Sequence, residues 1–195
     1  MIPVPNDIQA LIFDCDGTLA DSMPLHLEAW CELFKEHGCD CPLNFLDARK
    51  GAPVLDIVRD YNRIFGTTID PVLFAEEKER RFQDKMPLLK PLKPVLDTAL
   101  KYYQKLPMAV VSGSPLSSVL PSLRVIGASH LFPVIVTMDD GLAPKPSPAM
   151  FLAAAEKLGV SPEFCQVFED GDYGLEGARK ARMLATDIRP FQTNQ

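Results

Sequence analysis

Two aspartates two residues apart, Asp14 and Asp16 in the run Asp14-Cys15-Asp16-Gly17-Thr18-Leu19, follow the apolar segment Ile8 to Phe13. Carboxylates this close repel one another and gain most when a divalent cation sits between them and a substrate. Hard oxygen donors of this kind suit Mg²⁺, which keeps several waters and binds through few carboxylates. A carboxylate can also attack phosphorus to give an aspartyl-phosphate, and a second one can protonate the departing oxygen and later activate water. Gly17 lets the backbone turn sharply away. A calcium loop of the helix-loop-helix type needs its glycine at the sixth position, whereas Gly17 is fourth and the motif follows a strand pattern.

Three further segments carry polar side chains of matching chemistry. In Val111-Ser112-Gly113-Ser114-Pro115, the Ser112 hydroxyl and nearby backbone N–H groups, Gly113 among them, can hold a phosphate oxygen at a helix N-terminus. The competing role for Ser112 or Ser114 is helix capping, with Pro115 as first helical residue. Lys145, framed by Pro144 and Pro146, is a cation with a restricted backbone, able to neutralise phosphate and offset nearby carboxylates. Glu169-Asp170 supplies a third metal ligand, Asp170, with Glu169 as an outer ligand or as a partner for Lys145. Asp172, shortly after, reads as the N-cap of a helix starting at Tyr173.

The elements that must position these residues are read from hydrophobic patterning. Ile8–Phe13, Met108–Val111, Val134–Val136 and Val167–Phe168 read as buried strands, with a last short strand at Leu184–Ile188. Helical patterns separate them at Val95–Gln104, Leu116–Ile126, Pro148–Leu158 and Tyr173–Ala181. Buried strands joined by helices predict an α/β fold, a doubly wound parallel sheet with helices on both faces. Ligands bind such a sheet beyond the carboxyl ends of its strands, and each reactive segment falls at such an end. Between the first strand and the rest, three amphipathic patterns (Leu25–His37, Val54–Phe65, Pro71–Met86) predict an all-helical insertion, and Pro87, Pro91 and Pro94 suit a stiff connector back. The expected division is a core of residues 1–20 and 88–195 with a helical cap of residues 21–87.

Composition narrows the function class. The chain has 195 residues, 47% of them apolar, and a net charge of −6. That charge, without a basic run, disfavours a nucleic-acid partner. No apolar stretch approaches the roughly 20 residues of a membrane span, and Met1 to Asp7 lacks the pattern of a secretory signal. Five cysteines without repeating spacing, including Cys39-x-Cys41 with no second half to complete a zinc site, predict reduced thiols in the cytoplasm. A monomer acting on a small phosphorylated metabolite is the expectation.

Taken together, Asp14-x-Asp16-Gly17-Thr18, Ser112, Lys145 and Glu169-Asp170 resemble the four motifs of the haloacid dehalogenase superfamily. The resemblance spans nearly the whole chain and is closest to the beta-phosphoglucomutase-like branch, within it to small bacterial fructose-1-phosphatase-type sugar phosphatases. It implies Asp14 as nucleophile and Asp16 as general acid/base. It further implies Mg²⁺ held by Asp14, the backbone carbonyl of Asp16 and Asp170, and a phosphoryl group held by Ser112 and Lys145. Founding dehalogenases usually lack the second aspartate, so Asp16 argues for phosphoryl transfer. In the mutase branch cap residues bind the sugar phosphate. The resemblance implies His26, at the spacing of the hinge histidine, and Lys78, where a cap lysine is expected, as cap substrate-binding residues. After Lys50-Gly51, however, Val54 stands where mutases carry a phosphate-gripping arginine, and one lysine does not replace a bidentate guanidinium. Hydrolysis of a sugar monophosphate is the resulting expectation, with a phosphomutase and a non-catalytic metabolite-binding module as the alternatives. Arg182-Met183 also departs from the usual Gly-Met and forgoes a favourable left-handed helix end.

Overall fold

The computed structural model describes residues 2–41, 43–49 and 52–192. Strands β1 (Ala10–Phe13), β2 (Met108–Val111), β3 (Val134–Val136), β4 (Cys165–Glu169) and β5 (Leu184–Asp187) pair in parallel in the order β3-β2-β1-β4-β5. β1, β2 and β4 are buried at every residue, which is why their sequences are unbroken apolar runs rather than alternating ones. Alternate residues nevertheless serve opposite faces. Leu11, Phe13, Val110 and Phe168 join one core cluster with α5 (Lys93–Tyr102) and α6 (Leu116–Val125). Ala10, Ile12, Ala109, Val111 and Val167 join another with α7 (Ala149–Leu158) and α8 (Asp172–Lys180). Each fully buried large apolar side chain contributes roughly 1.5–3 kcal/mol. Phe13 and Phe168, register partners, stack with centroids 4.6 Å apart.

The chain runs outward from β1 to β2 and β3, then crosses back to place β4 on the other side of β1. The crevice of a doubly wound sheet lies at that reversal. β1 thus ends between β2 and β4, and Asp14 emerges there.

Between β1 and α5 stand α1 (Met23–Glu36), α2 (Leu43–Asp47), α3 (Val54–Phe65) and α4 (Pro71–Lys85). Trp30, Phe34, Val58, Tyr61 and Phe74 form their own apolar cluster. Gly66, at φ 70°, ends α3 in the left-handed conformation, and Asp70 caps α4 by accepting from the Val72 and Leu73 N–H groups. α2 was not foreseen, since a five-residue helix is too short to display a period.

Three sequence expectations are corrected. Cys31 and Cys41 are not reduced thiols but a disulfide, Cα atoms 4.8 Å apart. After α1 the chain reverses through Gly38, at φ 70°, and returns Cys41 alongside the helix, a proximity that spacing does not reveal. Asp172 is not an N-cap: Gly171 occupies that position and Asp172 is the first helical residue, paired with Arg189 at 2.9 Å. Ser114 does not cap α6 either. The Leu116 N–H is taken by Asp139 at 2.8 Å, and the Ser114 hydroxyl points elsewhere. Among the described residues no helix is long and apolar enough to cross a membrane.

Candidate active site

The loop leaving β1 winds around one carbonyl: the N–H groups of Leu19 and Ala20 both donate to Cys15 O at 3.0 Å. Gly17 adopts φ 81°, and a side chain there would overlap the Asp170 carboxylate and Met23. A glycine is therefore required on both counts, and it lets the β1 and β4 loops close on each other. The side-chain amide of Gln192 donates to Gly17 O at 2.8 Å and braces the turn.

Lys145 is the centre of the buried cluster. Its Nζ donates to Asp14 Oδ1 at 2.7 Å, Glu169 Oε1 at 2.6 Å and Val111 O at 3.2 Å. Those three bonds use all three ammonium protons. Gly174 makes room for this arrangement, since a side chain there would occupy the place of the Glu169 carboxylate. Glu169 also accepts from Gly171 N–H at 2.8 Å. The Lys145–Pro146 peptide is cis.

Burial, then Glu169, push the Asp14 carboxyl well above its usual range; Lys145 opposes this, while Asp170 and Asp16 add to it. Lys145 is held well above the ordinary lysine value, burial being outweighed by Asp14 and Glu169. Carboxylate oxygens of Asp14, Glu169 and Asp170 lie within 4.8 Å of one another, and Thr18 Oγ1 donates to Asp170 Oδ1 at 3.3 Å. These three buried carboxyl groups crowd one another, and Asp14 and Glu169 share a single lysine. Hard oxygen donors in that state fit a divalent cation such as Mg²⁺.

Asp16 has its own set of donors. Ser22 Oγ donates to Oδ1 at 2.8 Å, Ser114 Oγ donates to Oδ2 at 2.7 Å, and His26 Nε2 lies 3.3 Å from Oδ1. Burial alone would raise the Asp16 carboxyl, but the His26 contact and the serine hydroxyls outweigh it and hold it well below the usual carboxylate range. Lys78 Nζ lies 2.8 Å from His26 Nδ1. With Lys78 as an ammonium, which has only donors, Nδ1 accepts, Nε2 carries the proton, and His26 is neutral. Burial and then the Lys78 charge lower the His26 value, in keeping with that tautomer. The ring stacks on Phe82 with centroids 3.7 Å apart.

The structure thus gathers Asp14, Lys145, Glu169 and Asp170 into one cluster and links Asp16, His26 and Lys78 in a second, adjacent one. Ser112 is buried beside them, its Oγ accepting from Ser114 N–H at 3.0 Å. Val54 packs on the apolar cluster of the insertion; Lys50 and Gly51 lie outside the described residues. Sequence reasoning missed Ser22 and Ser114 as partners of Asp16, and Thr18 and Gly174 as supports of the acidic cluster. Of these only Gly174, a glycine in the first turn of a helix, left a signal. A cavity of about 510 Å³ lies between insertion and core, lined by Arg49, Asp56 and Asp60 on one side and by Lys145 and Tyr173 on the other.

A profile of haloacid dehalogenase-like hydrolases matches residues 8–182. The chain belongs to the haloacid dehalogenase-like hydrolase family. Within that family it is 34% identical over 180 residues to the fructose-1-phosphate phosphatase YqaB of Escherichia coli (strain K12), covering 92% of this chain and 95% of that protein. It is 30% identical to the phosphorylated carbohydrates phosphatase of Thermotoga maritima, covering 89% and 82%. Among solved haloacid dehalogenase-like structures, a beta-phosphoglucomutase from Clostridium difficile superimposes with a TM-score of 0.79 at 25% identity, covering 92% of this chain and 84% of that one.

Proposed function

We propose that the protein is a Mg²⁺-dependent phosphatase that hydrolyses a small sugar monophosphate through an aspartyl-phosphate on Asp14, with residues 21–87 acting as a cap over the site. The observation that supports this reading is the contact of Lys145 with both Asp14 and Glu169, a fixed cation beside the buried carboxyl group that the reading makes the nucleophile. The names of the two phosphatase relatives support the substrate class.

In the proposed reaction Asp14 attacks phosphorus in line with the departing sugar oxygen, and the charge on the transferring group falls to Lys145, the Ser112 hydroxyl and the Gly113 N–H. Asp14, the Asp16 carbonyl and Asp170 would hold Mg²⁺, with Glu169 as an outer partner, and the ion would neutralise phosphoryl charge. Asp16 protonates the sugar oxygen and then, as a carboxylate, takes a proton from the water that cleaves the aspartyl-phosphate. Its two serine partners suit both states, because a hydroxyl can donate to the carboxylate and turn to accept from the acid. His26, kept neutral by Lys78, orients Asp16 without taking its proton.

Phosphate release measured across sugar phosphates, with Mg²⁺ and again with excess chelator, tests the reading. Release that depends on Mg²⁺ is expected; undiminished release after complete metal removal would overturn the site as drawn. The link from Asp16 through His26 to Lys78 also favours a phosphomutase as second reading. Conversion of hexose 1-phosphate to the 6-phosphate, in place of free phosphate, would establish it.

A further inference from the structure

α4 changes company along its length. Phe74 packs in the apolar cluster of the insertion, whereas Phe82 belongs to the cluster on the α5 and α6 side of the sheet. Lys78 and Glu79 stand between these two residues, where the insertion meets the core. Lys78 is buried, with Nζ 2.8 Å from His26 Nδ1. Among the described residues its ion pair is with Glu79, whose Oε2 lies 3.8 Å away. A buried ammonium needs a nearby carboxylate to keep its proton and its place. Burial works against the charged form of Lys78, and Glu79, then Asp16, support it.

Glu79 is itself pinned to the core. Its other oxygen, Oε1, accepts from Ser118 Oγ. Gln83, four residues on and so on the same face of α4, donates through Nε2 to that hydroxyl at 3.2 Å. Ser118 is a buried residue of α6, the helix that follows the Ser112–Ser114 loop, and Ser114 Oγ donates to Asp16 Oδ2 at 2.7 Å. The contacts close a ring. One arm runs from Asp16 through His26, Lys78 and Glu79 to Ser118; the other returns along α6 through Ser114 to Asp16.

We propose that Glu79 is a positioning residue for Asp16: pinned to α6 by Ser118, it holds the Lys78 ammonium against His26, and so fixes His26 as the donor that orients the Asp16 carboxyl. This rests on the reading of Asp16 as acid and base given above. Because Glu79 and Ser118 belong to different regions of the molecule, Asp16 is fully oriented only while α4 stays seated on α6.

The test measures Mg²⁺-dependent phosphate release from fructose 1-phosphate, or from the sugar phosphate turned over best, in the full chain and in E79Q, S118A, K78M and the K78M/E79Q pair. Melting curves show that each variant is folded. E79Q keeps the size of the side chain and an acceptor for Ser118 but removes the charge beside Lys78. It should lower kcat by roughly tenfold with KM little changed, as expected when acid–base catalysis is impaired and ground-state binding is not. S118A should lower kcat by less, roughly threefold, the worth of one hydrogen bond, since Glu79 loses its pin and keeps its charge. The pair should be no slower than K78M alone, because without the ammonium Glu79 has nothing to hold. An unchanged kcat in E79Q, losses in E79Q and K78M that multiply in full in the pair, or an S118A protein as active as the unmodified one would overturn the inference and leave the phosphatase reading intact. Absence of release from every sugar phosphate in the unmodified chain would instead remove the phosphatase reading and this inference together.

Discussion

The loops at the strand ends and the helical insertion hold charge in opposite ways. Around β1, β2 and β4 the charges at the strand ends are buried and interlocked: one ammonium serves Asp14, Glu169 and Val111 O. Across the insertion most charges lie in exposed or half-exposed pairs, such as Arg80 with Glu77 and Asp84, or Lys85 with Glu28 and Glu32. Pairs of that kind stabilise by a few tenths to about 1 kcal/mol. Within the same acidic and basic run, however, Lys78 is buried, because Phe74, Lys78 and Phe82 share the inward stripe of α4 at four-residue spacing. The comparison teaches that burial of a charge, rather than its presence in a charged segment, separates working groups from solvated ones. On the proposed reading, the strand ends perform the chemistry and the insertion tunes Asp16.

The largest effect should come from the strand ends. D14N is expected to lower phosphate release by at least roughly a thousandfold, since it removes the nucleophile itself. Near-normal release from a folded D14N protein would break the assignment of chemistry to the sheet.

Next comes the part of the insertion that reaches Asp16. K78M and H26Q should lower kcat by roughly 10- to 100-fold, as expected when acid–base catalysis is impaired. His26 acts through Asp16 and is a positioning residue, so a pH profile distinguishes this role from mere packing. Removing the Lys78 charge raises the His26 value, so a charged imidazole forms at higher pH as acid is added. It then holds Asp16 more firmly as a carboxylate, and the acid limb of kcat in K78M should move to higher pH. An unmoved limb with unchanged kcat would erase the link between the two regions.

A smaller effect, on stability alone, is expected from the disulfide. C31S, or reductant, should destabilise the insertion by about 2–3 kcal/mol, the loss associated with opening a loop of roughly ten residues. Thermal melts with and without reductant would show it. Melting curves that do not respond to reductant would mean the bond does not brace this lobe. The smallest effect concerns the sheet side. Contrary to the sequence expectation, the left-handed end of α8 is kept: Arg182 adopts φ 61°, a conformation costly for any residue with a Cβ, so R182G should stabilise by about 0.5–1 kcal/mol in denaturant unfolding. An unchanged or lowered midpoint would show that the arginine side chain repays its backbone strain.

Much of the architecture was readable from residue order. β2, β3 and α3 have the bounds their patterns predicted, because a buried parallel strand is a short apolar run and α3 is bounded by Pro53 and Gly66. Asp14, Ser112, Lys145 and Glu169-Asp170 could be picked out because each sits within a few residues of a strand end, where local patterning and chemistry coincide. Most pairings between segments far apart in the chain were not readable, even where the residues themselves were. Ser114 looked like a helix cap until Asp139 took that place and Asp16 took the hydroxyl. His26 and Lys78, 52 residues apart, meet only because α1 and α4 pack together. The bond between Cys31 and Cys41 depends on the reversal after α1, and the Arg49–Asp60 pair on the approach of α3 to the chain just after α2.

By itself, then, the sequence determined the α/β core, the helical insertion and the residue types at each strand end. These rest on periodicity and on short-range backbone geometry, which are local properties. Only the tertiary structure decided which groups share protons and charge: Lys145 between Asp14 and Glu169, Asp16 under His26 and two serines, Arg49 engaged by Asp60. Such contacts depend on distances in space between segments far apart in the chain, and no pattern along the sequence encodes them.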